Sequence, residues 1–222
     1  HGLDRAGVVK SFYAGRAVVA HQFMPPAVPG YEPTVKKYPF NPERSKQLLR
    51  QAGLSLPVKI DFYWPTNVSR PYMPSPNLNF QAFKASLERS GFEVNGVSEP
   101  WRPDYVKHVN EGSGGHLNLI GWTGDYADAD NFVGTFFQSA NPQFGLTRRG
   151  AHGVIAKLLD RAEAEVNAAK RVKLYKQINK LIANYIPAVP YAHSTPGVGV
   201  QRQVQGYKAS PVGTESFYGV SI

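Results

Sequence analysis

The chain is 222 residues long, 42% hydrophobic and 12% aromatic, and lacks cysteine; this composition supports one large core or two small ones and excludes disorder, disulfides and thiolate metal sites. The 25 Lys and Arg against 16 Asp and Glu leave a formal charge of +9, which raises nucleic acid or an anionic membrane as partners. The bases are dispersed, and no apolar run reaches the roughly 18 residues that a spanning helix needs, so a transmembrane segment is not predicted.

In chain order, Leu3-Asp4-Arg5 reads as a cap leading into the helical stretch "AGVVKSFYAG". The chain enters this pattern at His1 without a preceding segment, and is read as a fragment of a longer protein. Asn41-Pro42-Glu43 opens a second helix carrying Leu48 and Leu49, and Gly53 stops it. "PVKIDFYW" (57–64) is a strand, and 77–91 a helix with Leu78, Phe83 and Leu87 near one face and Gly91 at its end. A strand over 92–97, a short helix over 102–112 and a strand over 116–122 follow, then helices near 129–138, 152–166 and 168–185. In the last of these, Lys170, Arg171, Lys173, Lys176 and Lys180 interleave with Val172, Leu174, Ile178 and Leu181, which predicts the solvated face of an amphipathic helix. Pro187 and Pro190 end the helical region, and the Val-, Gly-, Tyr- and Pro-rich remainder reads as short strands and turns. The predicted fold is α/β, a mainly parallel sheet flanked by helices with a short β-rich C-terminal tail, divided into a lobe over 1–187 and a tail over 188–222.

Parallel sheets of this kind bind ligands beyond the carboxyl ends of their strands. Two such ends carry charge. "GWTGDYADADNF" (121–132) places Asp125, Asp128 and Asp130 together. The stretch lacks the Gly and terminal Glu of an EF-hand loop, which argues against calcium. Asp128 and Asp130 are explained as cap and dipole partners of the following helix. Asp125 has no such duty, and a surface turn residue and a socket for a cation both stay open for it. The second end, "NVSRPYMPSPN" (67–77), is stiffened by proline and holds Arg70 at its apex. A guanidinium suits a carboxylate because its fork matches both oxygens, so an Arg and an Asp at neighbouring strand ends could read a zwitterion. The six histidines show no metal-binding spacing, Ser194 and Thr195 sit in no nucleophile elbow, and no glycine-rich phosphate loop occurs. Neither a catalytic residue nor a metal site is assigned.

The stretches "GLDRAGVVKSFYAGRA", "MPPAVPGY", "YPFNPERSKQLLRQAGL", "SRPYMP", "GWTGDYADADNF", "KRVKLYKQINKLIANYIPAVPYAHST" and "VQGYKASPVGTESFYGVSI" together resemble, in order and over essentially the whole chain, the solute-binding proteins of peptide-importing ABC transporters (family 5), and within them the dipeptide-binding group. The resemblance implies a two-lobed clamp that closes on a short peptide, no cofactor, no enzymatic activity, and delivery to the membrane subunits of an ABC permease. It also implies a periplasmic or extracytoplasmic location, with a lipid anchor left open. By the same resemblance Asp125 pairs with the α-ammonium of a dipeptide and Arg70 with its α-carboxylate, while Tyr72, Gly121, Trp122 and Thr123 supply backbone and wall contacts. "ADAD" departs from the proline-containing versions of that loop. Since relatives are longer, the chain would be their C-terminal part, its tail returning toward an N-terminal lobe outside it. Oligopeptides, haem and nickel chelates are the alternative ligands within the family, and a basic nucleic-acid-binding protein is the alternative from another class.

Overall fold

The structure, a computed structural model, describes residues 1–210 and 215–222; the part of the tail expected as strands and turns over 211–214 lies outside them. Helix α1 (Arg5–Phe12) starts at Asp4, whose carboxylate accepts the Gly7 N–H at 2.9 Å. Strand β1 (Ala17–Val19) follows, then a long irregular segment that leads to α2 (Pro42–Gln51), capped by Asn41. Strand β2 (Val58–Thr66), α3 (Pro76–Arg89) and β3 (Phe92–Pro100) form a parallel crossover unit, in register from Val58 opposite Phe92 to Thr66 opposite Pro100. Gly53 and Gly91 follow α2 and α3 with φ of +78° and +98°, the left-handed conformation in which glycine ends a helix without a Cβ penalty.

A π-helical turn (Trp101–Tyr105) runs into α4 (Val106–Asn110), and β4 (Leu117–Asn118) adds to the free side of β2, giving the all-parallel order β3-β2-β4. Helices α5 (Ala129–Phe137), α6 (Gly150–Ala164) and α7 (Ala168–Tyr185) complete the helical part. Strand β5 (Ala192–Ser194), in the tail, pairs antiparallel with β1, Val18 opposite His193.

The apolar side chains form two clusters. Ile60, Phe62 and Val94 of the sheet pack with Phe80, Phe83 and Leu87 of α3 and with Val8 and Tyr13 of the α1 region. The spacing of the α3 residues places them on one helical stripe, and Phe80 meets Phe62 edge to face at 5.3 Å. The second cluster joins Val133 and Phe137 of α5 to Ile155 and Leu159 of α6, Ile178 and Ile182 of α7, and Met24 and Val28 of the irregular segment. Buried Arg5 fastens the parts together, donating to the carbonyls of Ala20 (2.8 Å), Pro190 (2.9 Å) and Tyr38 (2.7 Å).

Several local expectations are corrected. Leu78 is half exposed, not on the buried face of α3; it lies five positions before Phe83, about 140° away around a helix that turns about 100° per residue. The strand expected over 116–122 is regular only at Leu117–Asn118, although the Leu119 N–H still donates to the Tyr63 carbonyl at 3.2 Å. The helix expected over 102–112 opens as a π-helical turn and is α-helical only over Val106–Asn110, and its first residue, Arg102, is extended (φ −134°, ψ 145°), as a residue before proline prefers. Arg171 is not part of a free solvated face, for reasons given below.

Candidate functional site

The loop after β2 is closed on itself by two backbone hydrogen bonds between Arg70 and Met73, at 3.1 and 2.8 Å. Fully buried Met73 pins this turn to the sheet core. The guanidinium of Arg70 lies over the Trp101 ring, 4.9 Å from its centroid, an attractive geometry for a cation on an indole face. Trp101 stacks on Tyr105 at 5.9 Å, and the buried Tyr105 hydroxyl donates to the Leu119 carbonyl (2.6 Å), with the Tyr63 carbonyl a longer, secondary contact at 3.3 Å. A single aromatic pair thereby joins the ends of all three parallel strands and supports Arg70. Burial raises the Tyr105 phenol well above its ordinary range, so it acts as a neutral donor.

Tyr72 is held through its backbone. Its carbonyl accepts the hydroxyls of Tyr13 (2.6 Å) and Tyr191 (3.0 Å), and both phenols are raised by burial. The Tyr72 ring lies across Gly121, where a Cβ would sit 2.4 Å from a ring carbon. Gly121 is needed for that approach. Burial also raises the Tyr72 phenol, while the nearby Arg70 charge works in the opposite direction.

The acidic stretch is organised by Asn131, in the first turn of α5. Its buried side-chain Oδ1 accepts both the indole N–H of Trp122 (3.1 Å) and the backbone N–H of Asp125 (2.9 Å). Trp122 also meets Phe136 edge to face at 5.4 Å. The three carboxylates then separate by role. Asp128 caps α5, accepting from the Asp130 N–H at 2.9 Å, and holds Arg171 of α7 in a two-pronged pair at 2.6 and 2.9 Å. The Arg171 hydrogen bonds keep the Asp128 carboxyl below the usual range. Asp130 is pushed upward, first by burial and then by the neighbouring charges of Glu163 and Asp128. Asp125 is exposed, and among the described residues its carboxylate has no ion pair and no side-chain hydrogen bond.

The structure therefore brings Arg70, Tyr72 and Gly121 into one contiguous group and fixes Trp122 and Asp125 through a shared acceptor. Thr123 is exposed between them. Arg70 and Asp125 are opposite charges that neither neutralise each other nor meet another ionic partner among the described residues. Sequence reasoning missed Asn131, Trp101, Tyr13 and Tyr191. An amide in the first turn of the helix beyond the acidic stretch is the one available signal for Asn131, and the aromatic supports have none, because they act across large separations in the chain.

Arg70 and Asp125 lie in loops beyond the carboxyl ends of a parallel α/β sheet, the position at which sheets of this class of protein bind small ligands. The family described as bacterial extracellular solute-binding proteins, family 5 Middle, matches residues 1–144, and the chain belongs to that family. It is 33% identical over 223 residues to a dipeptide-binding protein of Escherichia coli, covering 100% of the chain and 41% of that protein. It is 32% identical over 222 residues to heme-binding protein A of Haemophilus influenzae, covering 100% of the chain and 40% of that protein. The crystal structure of a dipeptide-binding protein from a Pseudoalteromonas species in complex with Met-Leu superposes with a TM-score of 0.81 at 25% identity, over 99% of the chain and 43% of that protein. The chain thus spans about 40% of the length of the curated relatives it matches.

Proposed function

We propose that this chain is the ligand-holding part of a substrate-binding component of an ABC importer, which captures dipeptides by their charged termini and hands them to the permease from the periplasmic or extracytoplasmic side. Asp125 takes the α-ammonium and Arg70 the α-carboxylate. Tyr72, Gly121, Trp122 and Thr123 line the space between. The observation that carries this reading is the pair of opposite charges, Arg70 lying over the Trp101 ring and Asp125 anchored through its backbone N–H to Asn131, each without an ionic partner among the described residues. A guanidinium already packed on an indole face, and a loop backbone already anchored, cost little to reorganise when a ligand supplies the missing charges. The dipeptide-binding relatives support the same ligand class.

Haem is the second reading, favoured by the Haemophilus relative at nearly the same identity. Calorimetric titration of free, N-acetylated and C-amidated dipeptides, and of haemin, into the full-length protein that carries this chain separates the two. Capture by the termini requires that free dipeptides bind and both blocked forms fail. Removing either charge should weaken binding by about 2–5 kcal/mol, the usual loss for one partner of a desolvated pair. Haemin binding with indifference to dipeptides would transfer the assignment to the second reading.

A further inference from the structure

A cavity of about 320 Å³ opens beside Arg70, between the end of α1, the loop after β2 and the segment that follows β5. Its wall contains a second guanidinium, that of Arg16, with the side chains of Ser69, Ser194 and Thr195 and the apolar edge of Phe12. No Asp or Glu lines it. Arg16 is placed by its backbone from both sides: its N–H donates to the Tyr13 carbonyl at 2.8 Å, and its carbonyl accepts the Thr195 N–H at 2.8 Å. Among the described residues the exposed Arg16 side chain has no ion pair and no hydrogen bond. Arg70 has none either, and its Nε is buried without a partner. Both arginines line a cavity that holds no acid, and each guanidinium offers a fork that matches a carboxylate.

We infer that Arg16 forms, beside Arg70, a specificity subsite for a second carboxylate, so that the protein prefers dipeptides whose C-terminal residue is Asp or Glu. The inference rests on the capture of dipeptides proposed above. Arg70 keeps the α-carboxylate and Arg16 takes the acidic side chain. Ser194 and Thr195 are then second-rank donors to the same group.

The test compares Ala-Glu with its neutral isostere Ala-Gln, and both with inorganic phosphate, by calorimetry on the full-length protein and on its Arg16→Gln and Arg16→Lys variants. The expected result is that Ala-Glu binds about tenfold more tightly than Ala-Gln, the usual order for one added charge-assisted pair. That ratio collapses toward one in Arg16→Gln, survives in part in Arg16→Lys, and shrinks as salt is raised. Equal binding of the two peptides by the unsubstituted protein, or an acidic preference that persists in Arg16→Gln, overturns the subsite and leaves dipeptide capture standing. Phosphate binding that depends on Arg16 while the peptides are not distinguished overturns it in favour of a free-anion site. Binding of neither peptide overturns capture and the subsite together.

Discussion

Arg171 of α7 reaches 43 positions back along the chain to grip both oxygens of Asp128, at 2.6 and 2.9 Å. Through this pair the helix that follows the acidic stretch is tied to the longest helix of the molecule, and the guanidinium also lies over the Tyr175 ring at 4.9 Å. The ladder of side chains that braces Asp125 starts in the helix this pair secures.

Asp128→Asn should therefore lower stability by about 1 kcal/mol, since it keeps a capping oxygen but removes the charge that pairs with Arg171 and faces the helix N-terminus. The pair is partly exposed and is discounted for screening. Because the folded Asp128 carboxyl is depressed, its contribution is fully present above the unfolded carboxylate range near 3.9 and is lost as pH falls through the folded value. Thermal denaturation between pH 3 and 7, with the Arg171→Met variant closing a double-mutant cycle, reads both effects. Additive losses in the cycle would show that the contact contributes nothing to stability.

His193 gives a second acid response in a different window. Burial, with the nearby His21 charge adding to it, lowers His193 to about 4, and its Nε2 is buried without a partner. The unfolded imidazole titrates near 6.5, so between about 6.5 and 4 the unfolded state binds more protons and stability is lost as pH is lowered through that interval. His193→Asn should flatten the pH dependence of Tm over that interval. An unchanged slope would place the titration elsewhere.

Gly121→Ala tests the contact beneath Tyr72. A Cβ there would lie 2.4 Å from the ring, so the ring or the backbone must move, at about 1–3 kcal/mol for overpacking of this kind. The expected outcome is weaker dipeptide binding with a modest loss of Tm. Wild-type affinity in the variant would mean that the Tyr72 wall takes no part in holding ligand.

Asn131→Ala removes the acceptor shared by Trp122 and Asp125. Two partly buried hydrogen bonds are lost, each contributing about 0.5–1.5 kcal/mol, and the Trp122 indole gains freedom. Tryptophan fluorescence should shift, and dipeptide affinity should fall although no residue proposed to touch the ligand has changed. Asn131→Asp, which keeps the acceptor, should restore most of the affinity. If the two variants behave alike, the acceptor does not position Asp125.

Much of the fold was legible from local chemistry. Asp4, Asn41 and Asp128 cap helices where their sequence position suggested, and Gly53 and Gly91 end helices in the left-handed conformation. The separation of Asp128 from Asp125 could likewise be read from helix capping alone. Misreadings arose where a period was weak or competing preferences met, as at Leu78, Arg102 and the short β4.

The sequence by itself determined the order and type of the main elements, and marked the two charged strand ends, because caps, stops and apolar periods act within a few residues. Only the tertiary structure decided what those charges rest on. Trp101 beneath Arg70, the Tyr13 and Tyr191 hydroxyls on Tyr72, and the Arg171 clamp on Asp128 all join segments far apart in the chain. The pairing of β5 with β1, which sets Thr195 against Arg16, is of the same kind. A residue pattern reports which face of an element seeks burial, whereas the partner it meets is fixed by how the sheet twists, how the crossovers run and how the two cores pack.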